Sequence, residues 1–349
     1  MSGSGDRQAE SDRDVAGVGA SPATNIEPMS GGLLARLFAV PMLIVGMIVG
    51  CAVVVVLLFG SIATDRQQSI ESLLNTLKAS AGETTAGVLL PRDKELWQVA
   101  NELAQRMKNA DSELTAEERD LAIDGLLGLH ARDIGDINTL SEMGRKRLAF
   151  FMYALARSGS PRAVPPLVAT LDASNVDLRV EALRALAEMG DGARSSDALP
   201  RMTAALTDRS PVVRTVACAA LSAIARPGDA EVVDALGRAS MDEDREVQWN
   251  AALALARLES DRGKGLLLDM LNRTYWEDEV KVRTVTPKGE ALEYPMPPQA
   301  VNRYLIAAID AGGRLPNDDI RDQIRALMSD ASPEVKNAAM KAIGDRGGS

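Results

Sequence analysis

A nine-position pattern recurs down the second half of this chain, and it constrains the fold more than any other feature. It reads aliphatic, cation or amide, two free positions, small or aliphatic, two free, Ala, aliphatic. It occurs as Leu178-Arg179…Ala182…Ala185-Leu186, as Val213-Arg214…Ala217…Ala220-Leu221, and as Val247-Gln248…Ala251…Ala254-Leu255. It returns as Val301-Asn302…Leu305…Ala308-Ile309 and Val335-Lys336…Ala339…Ala342-Ile343. The first positions are offset by 35, 34, 54 and 34 residues, so one interval carries about twenty extra. A fixed period of this size predicts a solenoid of stacked units rather than one globular core.

Within each pattern the apolar residues fall at i, i+4, i+7 and i+8, one face of an α-helix. A second apolar helix is expected before each: 163–171, 199–206, 231–236, 264–271 and 320–328. Ser210-Pro211 and Ser332-Pro333 place an N-cap hydroxyl before a proline at the first helical position, where its missing N–H costs nothing. Gly190, Gly228 and Gly344 sit where the second helices should stop. Alanine at the centre suits helices that approach closely. A unit of this kind cannot bury its apolar face alone, so neighbours must cover it.

These residues resemble the HEAT repeat family in its bacterial HEAT-like form, in which a turn aspartate precedes Val-Arg or Val-Lys. Asp172, Asp208, Asp242 and Asp330 stand in that place here. The resemblance covers about residues 113 to 345, with 113–159 an atypical first repeat that caps the stack. It implies an all-α fold, an α-solenoid of five or six HEAT-like helix pairs over 113–349. It also implies an Asp–Arg ladder between repeats, broken where Gln248 and Asn302 replace the cation.

Ahead of the repeats, Leu37 to Thr64 contains no charged residue. Twenty-eight residues are enough to span a bilayer with some tilt, and too long for the apolar core of a cleaved signal peptide. The solenoid is therefore expected to be preceded by one transmembrane helix, as a single-pass inner-membrane protein. Short flanks of nearly equal basic content leave its orientation to the ordinary arrangement, with the soluble domain on the outer, periplasmic side. Gly46 and Gly50 form a GxxxG in the anchor. That is the spacing of a helix–helix dimer face, so a homodimer through this helix is one reading and membrane-helix composition the other. Residues 1–36 are rich in Ser, Gly, Ala, Asp and Arg and are expected to be a disordered tail. Residues 65–112 are read as a helical stalk or linker, with Ile70, Leu73, Leu74 and Leu77 on one helix. Leu96, Val99, Ala100, Leu103 and Met107 fall on another.

The extra twenty residues fall at 273–297. Val280, Val282 and Val285, then a Thr-Pro-Lys-Gly turn and Leu292 to Tyr294, read as a hairpin insertion. Tyr275, Trp276 and Tyr294 are three of only eleven aromatics in the chain. Insertions in solenoids map to loops on one face, and aromatics are favoured interface anchors. These three are therefore candidate protein-binding residues, unless the rings tuck the hairpin onto its own helices. Arg179, Arg214 and Gln248 are candidates along the groove of second helices. The alternative for the arginines, and for Lys336, is bracing of turn aspartates.

The chain carries little sign of chemistry. There is one histidine, His130, expected at a helix end, so no multi-histidine metal cluster is available. There is no CxxC, GxSxG, Walker A loop or GxGxxG. Cys51 and Cys218 read as small buried hydrophobes. A net charge of −10 argues against a nucleic-acid partner. No catalytic residue, cofactor or metal is expected. The reading is a membrane-anchored scaffold or adaptor that binds a partner protein through its solenoid. The alternatives are a bilin-lyase-like enzyme or accessory subunit, which the family resemblance keeps open, and a self-assembling structural envelope protein.

Overall fold

Helix starts are set by short polar side chains placed one turn before apolar runs. Thr115 and Glu118 form a reciprocal capping box, Thr115 N–H donating to Glu118 Oε2 at 2.9 Å and Glu118 N–H to Thr115 Oγ1 at 3.1 Å. Ser141, Asn175, Asp244 and Asn317 each accept a backbone N–H from the first turn that follows. Gly159 and Gly190 close two helices at φ of 64° and 54°, in the left-handed region that favours glycine. Two boundaries differ from the sequence expectation. Ser210 is an N-cap whose hydroxyl makes no capping bond, and its own N–H is held by Asp208 at 2.8 Å instead. The helix before Gly228 already ends at Ile224, with Ala225 as its cap.

The computed structural model describes residues 69–79, 93–108, 114–135, 137–195, 197–285 and 291–344. They form seven helix pairs. The pairs are α1 (Ile70–Ala79) with α2 (Asp93–Lys108), α3 (Ala116–Gly135) with α4 (Glu142–Ser158), and α5 (Val164–Thr170) with α6 (Val176–Met189). Then come α7 (Ala198–Ala204) with α8 (Pro211–Ile224), α9 (Ala230–Ala239) with α10 (Arg245–Arg257), and α11 (Lys264–Met270) with α12 (Pro298–Gly312). The last is α13 (Asp318–Ala326) with α14 (Pro333–Gly344). The even-numbered second helices pack on one another in sequence, from α2 through to α14, more extensively than the first helices do. The central residues Ala182, Ala217, Ala251, Leu305 and Ala339 are fully buried, as close helix stacking requires.

The tail 1–36, the apolar segment 37–64, and Gly46 and Gly50 lie outside the described residues. Among the described residues no helix is long and apolar enough to cross a membrane.

The expected stalk requires correction. Its described helices, α1 and α2, are the first pair of the solenoid rather than a separate linker, so 113–159 is not the end of the stack. Ile70, Leu73, Leu74 and Leu77 join Leu96, Leu103 and Met107 in the same core as the repeats. Leu74 lies over Gly125 of α3, where an added Cβ would come within 2.6 Å of its Cδ1. The two apolar faces, expected to line a stalk, instead cover each other and the α3–α4 pair.

A second core occupies the C-terminal part, and α10 belongs to both. Its Ala251, Ala254 and Leu255 face the first core, while Trp249, Ala252, Leu253 and Ala256 face the second. The insertion begins after α11. A π-helical turn, Tyr275–Glu279, leads to an antiparallel hairpin of β1 (Lys281–Val285) and β2 (Ala291–Pro295), with Val282 opposite Tyr294. A two-stranded hairpin is marginal by itself, and this one is held at its root by Trp276 and Val280, both buried.

Trp276 is fully buried. Its ring stacks on Tyr304 of α12, centroids 4.7 Å apart at 14°, and meets Trp249 of α10 at 4.7 Å. Its Nε1–H donates to Met270 O at 2.8 Å, and Trp249 Nε1–H donates to Tyr275 Oη at 3.1 Å. Trp276→Ala is expected to cost about 4 kcal/mol of stability. Tyr294→Ser, on the exposed strand, should change it by less than about 0.5 kcal/mol. Urea denaturation of both variants beside the wild type checks this, and equal effects would refute the assignment of Trp276 to the core.

Candidate protein-binding surface

The candidate residues divide into those that hold the solenoid together and those that face outward. Arg179 and Arg214 belong to the first group, so of the two readings open to them the bracing of turn aspartates is the one the bonds follow. Arg179 makes a two-pronged bond to Asp208, Nε to Oδ2 and Nη2 to Oδ1, both 2.8 Å. Arg214 does the same to Asp242, with both bonds at 2.8 Å. Each arginine is nearly buried and reaches forward into the turn of the next repeat. Its other arm reaches back six residues to its own turn, Arg179 Nη1 to Ala173 O and Arg214 Nη1 to Asp208 O, each at 2.8 Å. Such bidentate pairs fix geometry as well as supply attraction. Burial works to raise the Asp208 and Asp242 carboxyls. The hydrogen bonds from Arg179 and Arg214, and from the backbone N–H two residues on, win and hold both below the usual carboxylate range.

Gln248 keeps the backward arm, donating from Nε2 to Asp242 O, and has no charge with which to reach forward. The position it would have reached is also neutral. Asn272 accepts Thr274 N–H through Oδ1, as Asp208, Asp242 and Asp330 accept from the residue two on. The second expected break is bridged. Arg273, the first residue of the insertion, donates to Asp330 at 2.7 and 2.6 Å and to Asn302 Oδ1 at 2.9 Å. Asp172 departs from the family pattern, pairing on the surface with Arg201.

Among the insertion residues, Trp276 is removed from any direct contact by its burial. Tyr275 is partly buried and its hydroxyl is occupied by Trp249. Tyr294 is 43 % exposed and Leu292 is 50 % exposed. They lie two apart on β2 and so share one face of the hairpin.

The structure adds a surface that the sequence argument missed. Trp97 of α2 lies 5.7 Å from Phe150 and 5.1 Å from Tyr153 of α4, ring to ring, and is itself 40 % exposed. Arg157 sits 5.8 Å over the Tyr153 ring, and Tyr153 Oη donates to Asn101. This trio lies on adjacent second helices. Its signal was present: Trp97 falls off the apolar face of α2, and Phe150 sits beside a buried Phe151. Further along the row, α8 presents only uncharged residues outward, among them Pro211, Val212, Ala219 and Ala223.

His130 is not at a helix end. It lies within α3, fully buried, with Nε2 3.1 Å from Thr170 Oγ1. Thr170 donates its own proton to Pro166 O at 2.9 Å, which leaves Nε2–H as the donor and Nδ1 without a partner. Burial pushes its pKa down to about 4, partly offset by the nearby Asp133 carboxylate. Cys218 is buried too, and its thiol is pushed up to about 12. Among the described residues no group of three or more His, Cys, Asp and Glu is placed to hold a metal ion.

The buried groups make two effects measurable. Arg214→Leu should cost roughly 3 kcal/mol, because Asp242 is left without its partner. Arg214→Leu with Asp242→Leu should cost less than the sum of the two single changes. A double-mutant cycle by chemical denaturation gives the answer, and strict additivity would sink the pairing argument. For His130 the folded-state pKa lies below the unfolded one. Its contribution is full above pH 6.5, where both states are neutral, and is lost as pH falls from 6.5 to about 4. The loss amounts to roughly 3 kcal/mol. In His130→Leu the stability curve should flatten in that window. The aspartates, whose folded pKa is depressed, act at lower pH. Asp229, held at about 2 by its hydrogen bonds from Arg194, loses its contribution as pH falls from 3.8 to about 2.

Comparison with known families finds the HEAT repeats matching residues 146–222 and 215–282. A comparison with curated proteins found no match. Among solved structures, the chain is similar to the YibA protein of E. coli, with 15% identity, a TM-score of 0.46, and 78% of this chain and 82% of that one covered. It is similar to the complex of CpcE and CpcF of phycocyanin lyase from Nostoc sp., at 18% identity, a TM-score of 0.41, and coverage of 80% and 95%. It is also similar to a designed armadillo repeat protein in complex with the peptide (KR)4, at 18% identity, a TM-score of 0.35, and coverage of 79% and 100%. The chain carries HEAT-like repeats in an all-α solenoid, a form suited to binding proteins.

Proposed function

We propose that this protein is a membrane-anchored adaptor that holds a partner protein against its row of second helices, with the hairpin as an accessory contact. The observation that carries the reading is the outward face of that row. The ladder arginines are already engaged in bracing, yet the row still offers the Trp97, Phe150 and Tyr153 rings and the uncharged face of α8. Partly exposed aromatic rings and uncharged helix surface are each what interfaces use as anchors. The protein binds rather than turns over its partner. The anchor is the uncharged segment from Leu37 to Thr64, long enough to span the bilayer of the inner membrane, with the solenoid on its outer side.

Proximity labelling in the native host tests the adaptor reading, with the labelling enzyme fused after Ser349. Deleting the insertion would be uninformative, because Trp276 is core. The useful variants are Trp97→Ser with Tyr153→Ser, and Leu292→Ser with Tyr294→Ser. A discrete neighbour lost with the first pair and weakened by the second is the expected result. Diffuse labelling in wild type and variants alike would refute the adaptor reading. Anchoring is checked separately: the full chain should stay with membranes after alkaline carbonate washing, and a chain lacking 37–64 should not.

A further inference from the structure

A cleft of about 460 Å³ opens between α12 and α14 at the C-terminal end of the second-helix row. Ile306, Ile309, Ala338 and Ala342 line it with apolar surface. Three charged residues also line it, and their states differ. The Asp310 carboxylate is held by Arg257 Nη2 at 3.4 Å. Arg314 and Lys341 are exposed and make no ion pair or side-chain hydrogen bond among the described residues.

Several cations on the second-helix row are in pairs. Arg184 bonds Glu181, Arg157 bonds Glu188, and Arg257 bonds Asp310. Arg314 and Lys341, like Arg303 on α12 and Lys336 on α14, have no ion pair among the described residues, and Arg314 and Lys341 line the apolar cleft, in a chain whose net charge is −10. The chemistry complementary to them is an apolar side chain flanked by carboxylates. Apolar burial would supply affinity, and the two cations would select the charge of the segment and speed its approach.

We infer that the α12–α14 cleft docks an acidic–apolar segment of a partner protein, with Arg314 and Lys341 pairing its carboxylates over an apolar floor. This rests on the adaptor reading and gives the chemistry of the segment that the row would hold.

The test uses the full chain in detergent micelles and two fluorescein-labelled peptides, Glu-Glu-Leu-Leu-Glu-Glu and Lys-Lys-Leu-Leu-Lys-Lys, read by fluorescence anisotropy. The wild type should bind the acidic peptide, more weakly as salt is raised. The double charge reversal Arg314→Glu with Lys341→Glu should weaken that binding by roughly tenfold or more and shift preference to the lysine peptide. Arg184→Glu, on the same row but away from the cleft, should leave it unchanged. Both cleft positions are exposed, so the reversal leaves the fold intact, and circular dichroism verifies this.

The inference is overturned if the acidic peptide binds wild type and double variant alike, or binds neither. It is also overturned if deleting residues 345–349 raises the affinity, since the chain's own last residues, with the Asp345 carboxylate, would then be the occupant. The adaptor reading fails separately. If labelling still finds a neighbour that depends on Trp97 and Tyr153 while the peptide does not bind, the adaptor stands and the cleft assignment falls.

Discussion

Close approach of neighbouring second helices is the constraint on which the rest of this structure depends. A helix pair of this length cannot cover its own apolar face. It is stable only because the next pair lies against it, and alanine at the centre of each second helix permits that contact. Ala182, Ala217 and Ala251 are all fully buried at these points. Once the helices are this close, the turn before each one is brought beside the start of its predecessor. The Arg179–Asp208 and Arg214–Asp242 pairs form there, each nearly buried and each also tied to a backbone carbonyl. A buried ion pair contributes less to net stability than its Coulomb attraction suggests. Its larger effect here is on register, because a two-pronged guanidinium accepts one alignment of successive repeats.

Between α10 and α12 the small-residue rule fails, and the insertion supplies what is missing. Trp249 stands where α8 has Thr215, and Tyr304 where α8 has Val216. Rings of that size hold two helices further apart than alanines do, and the gap between them is filled by Trp276 from the insertion. The ladder is rebuilt at the next junction by Arg273, one residue past the neutral Asn272. Volume and charge are thus both restored from one short stretch, 273–276. The insertion behaves as a splice between two stacks, and only its distal strands are free for other use.

Much of this was legible in the chain. The period gave the solenoid, the apolar spacing gave both helices of each unit, and the break in period marked the hairpin. The expectation that Arg179 and Arg214 brace aspartates came from the family pattern, and the bonds follow it. What failed to read through were decisions made by tertiary packing. The faces carrying Ile70, Leu73, Leu74 and Leu77 and carrying Leu96, Leu103 and Met107 look the same in sequence whether they line a stalk or begin a stack. Only Leu74 over Gly125 decides it. For Trp276 the sequence leaves interface anchor and packing against its own helices both open, and the bond from its Nε1–H to Met270 O decides for packing. Ser210 has the sequence of a capping residue, as Ser332 has, but its hydroxyl makes no capping bond while that of Ser332 accepts Val335 N–H. Arg273 had no signal in the repeat pattern, since it acts from outside the nine positions.

Where the ladder places its charges also shapes what remains for recognition. In a solenoid whose arginines were free, specificity would lie in the cations repeated along the groove. Here the two nearly buried arginines face their own aspartates, and exposed cations such as Lys146 and Arg184 have a carboxylate in contact. Features not absorbed in this way lie at separate points: the rings at α2 and α4, the uncharged face of α8, the apolar face of the hairpin, and the unpaired cations beside the α12–α14 cleft. Recognition distributed this way is a matter of spacing. A partner that engages the α2–α4 rings and the α12–α14 cleft together must match the number and curvature of the repeats between them. The aromatic joint at α10–α12, by setting the distance between two stacks, then becomes part of the specificity without touching the partner.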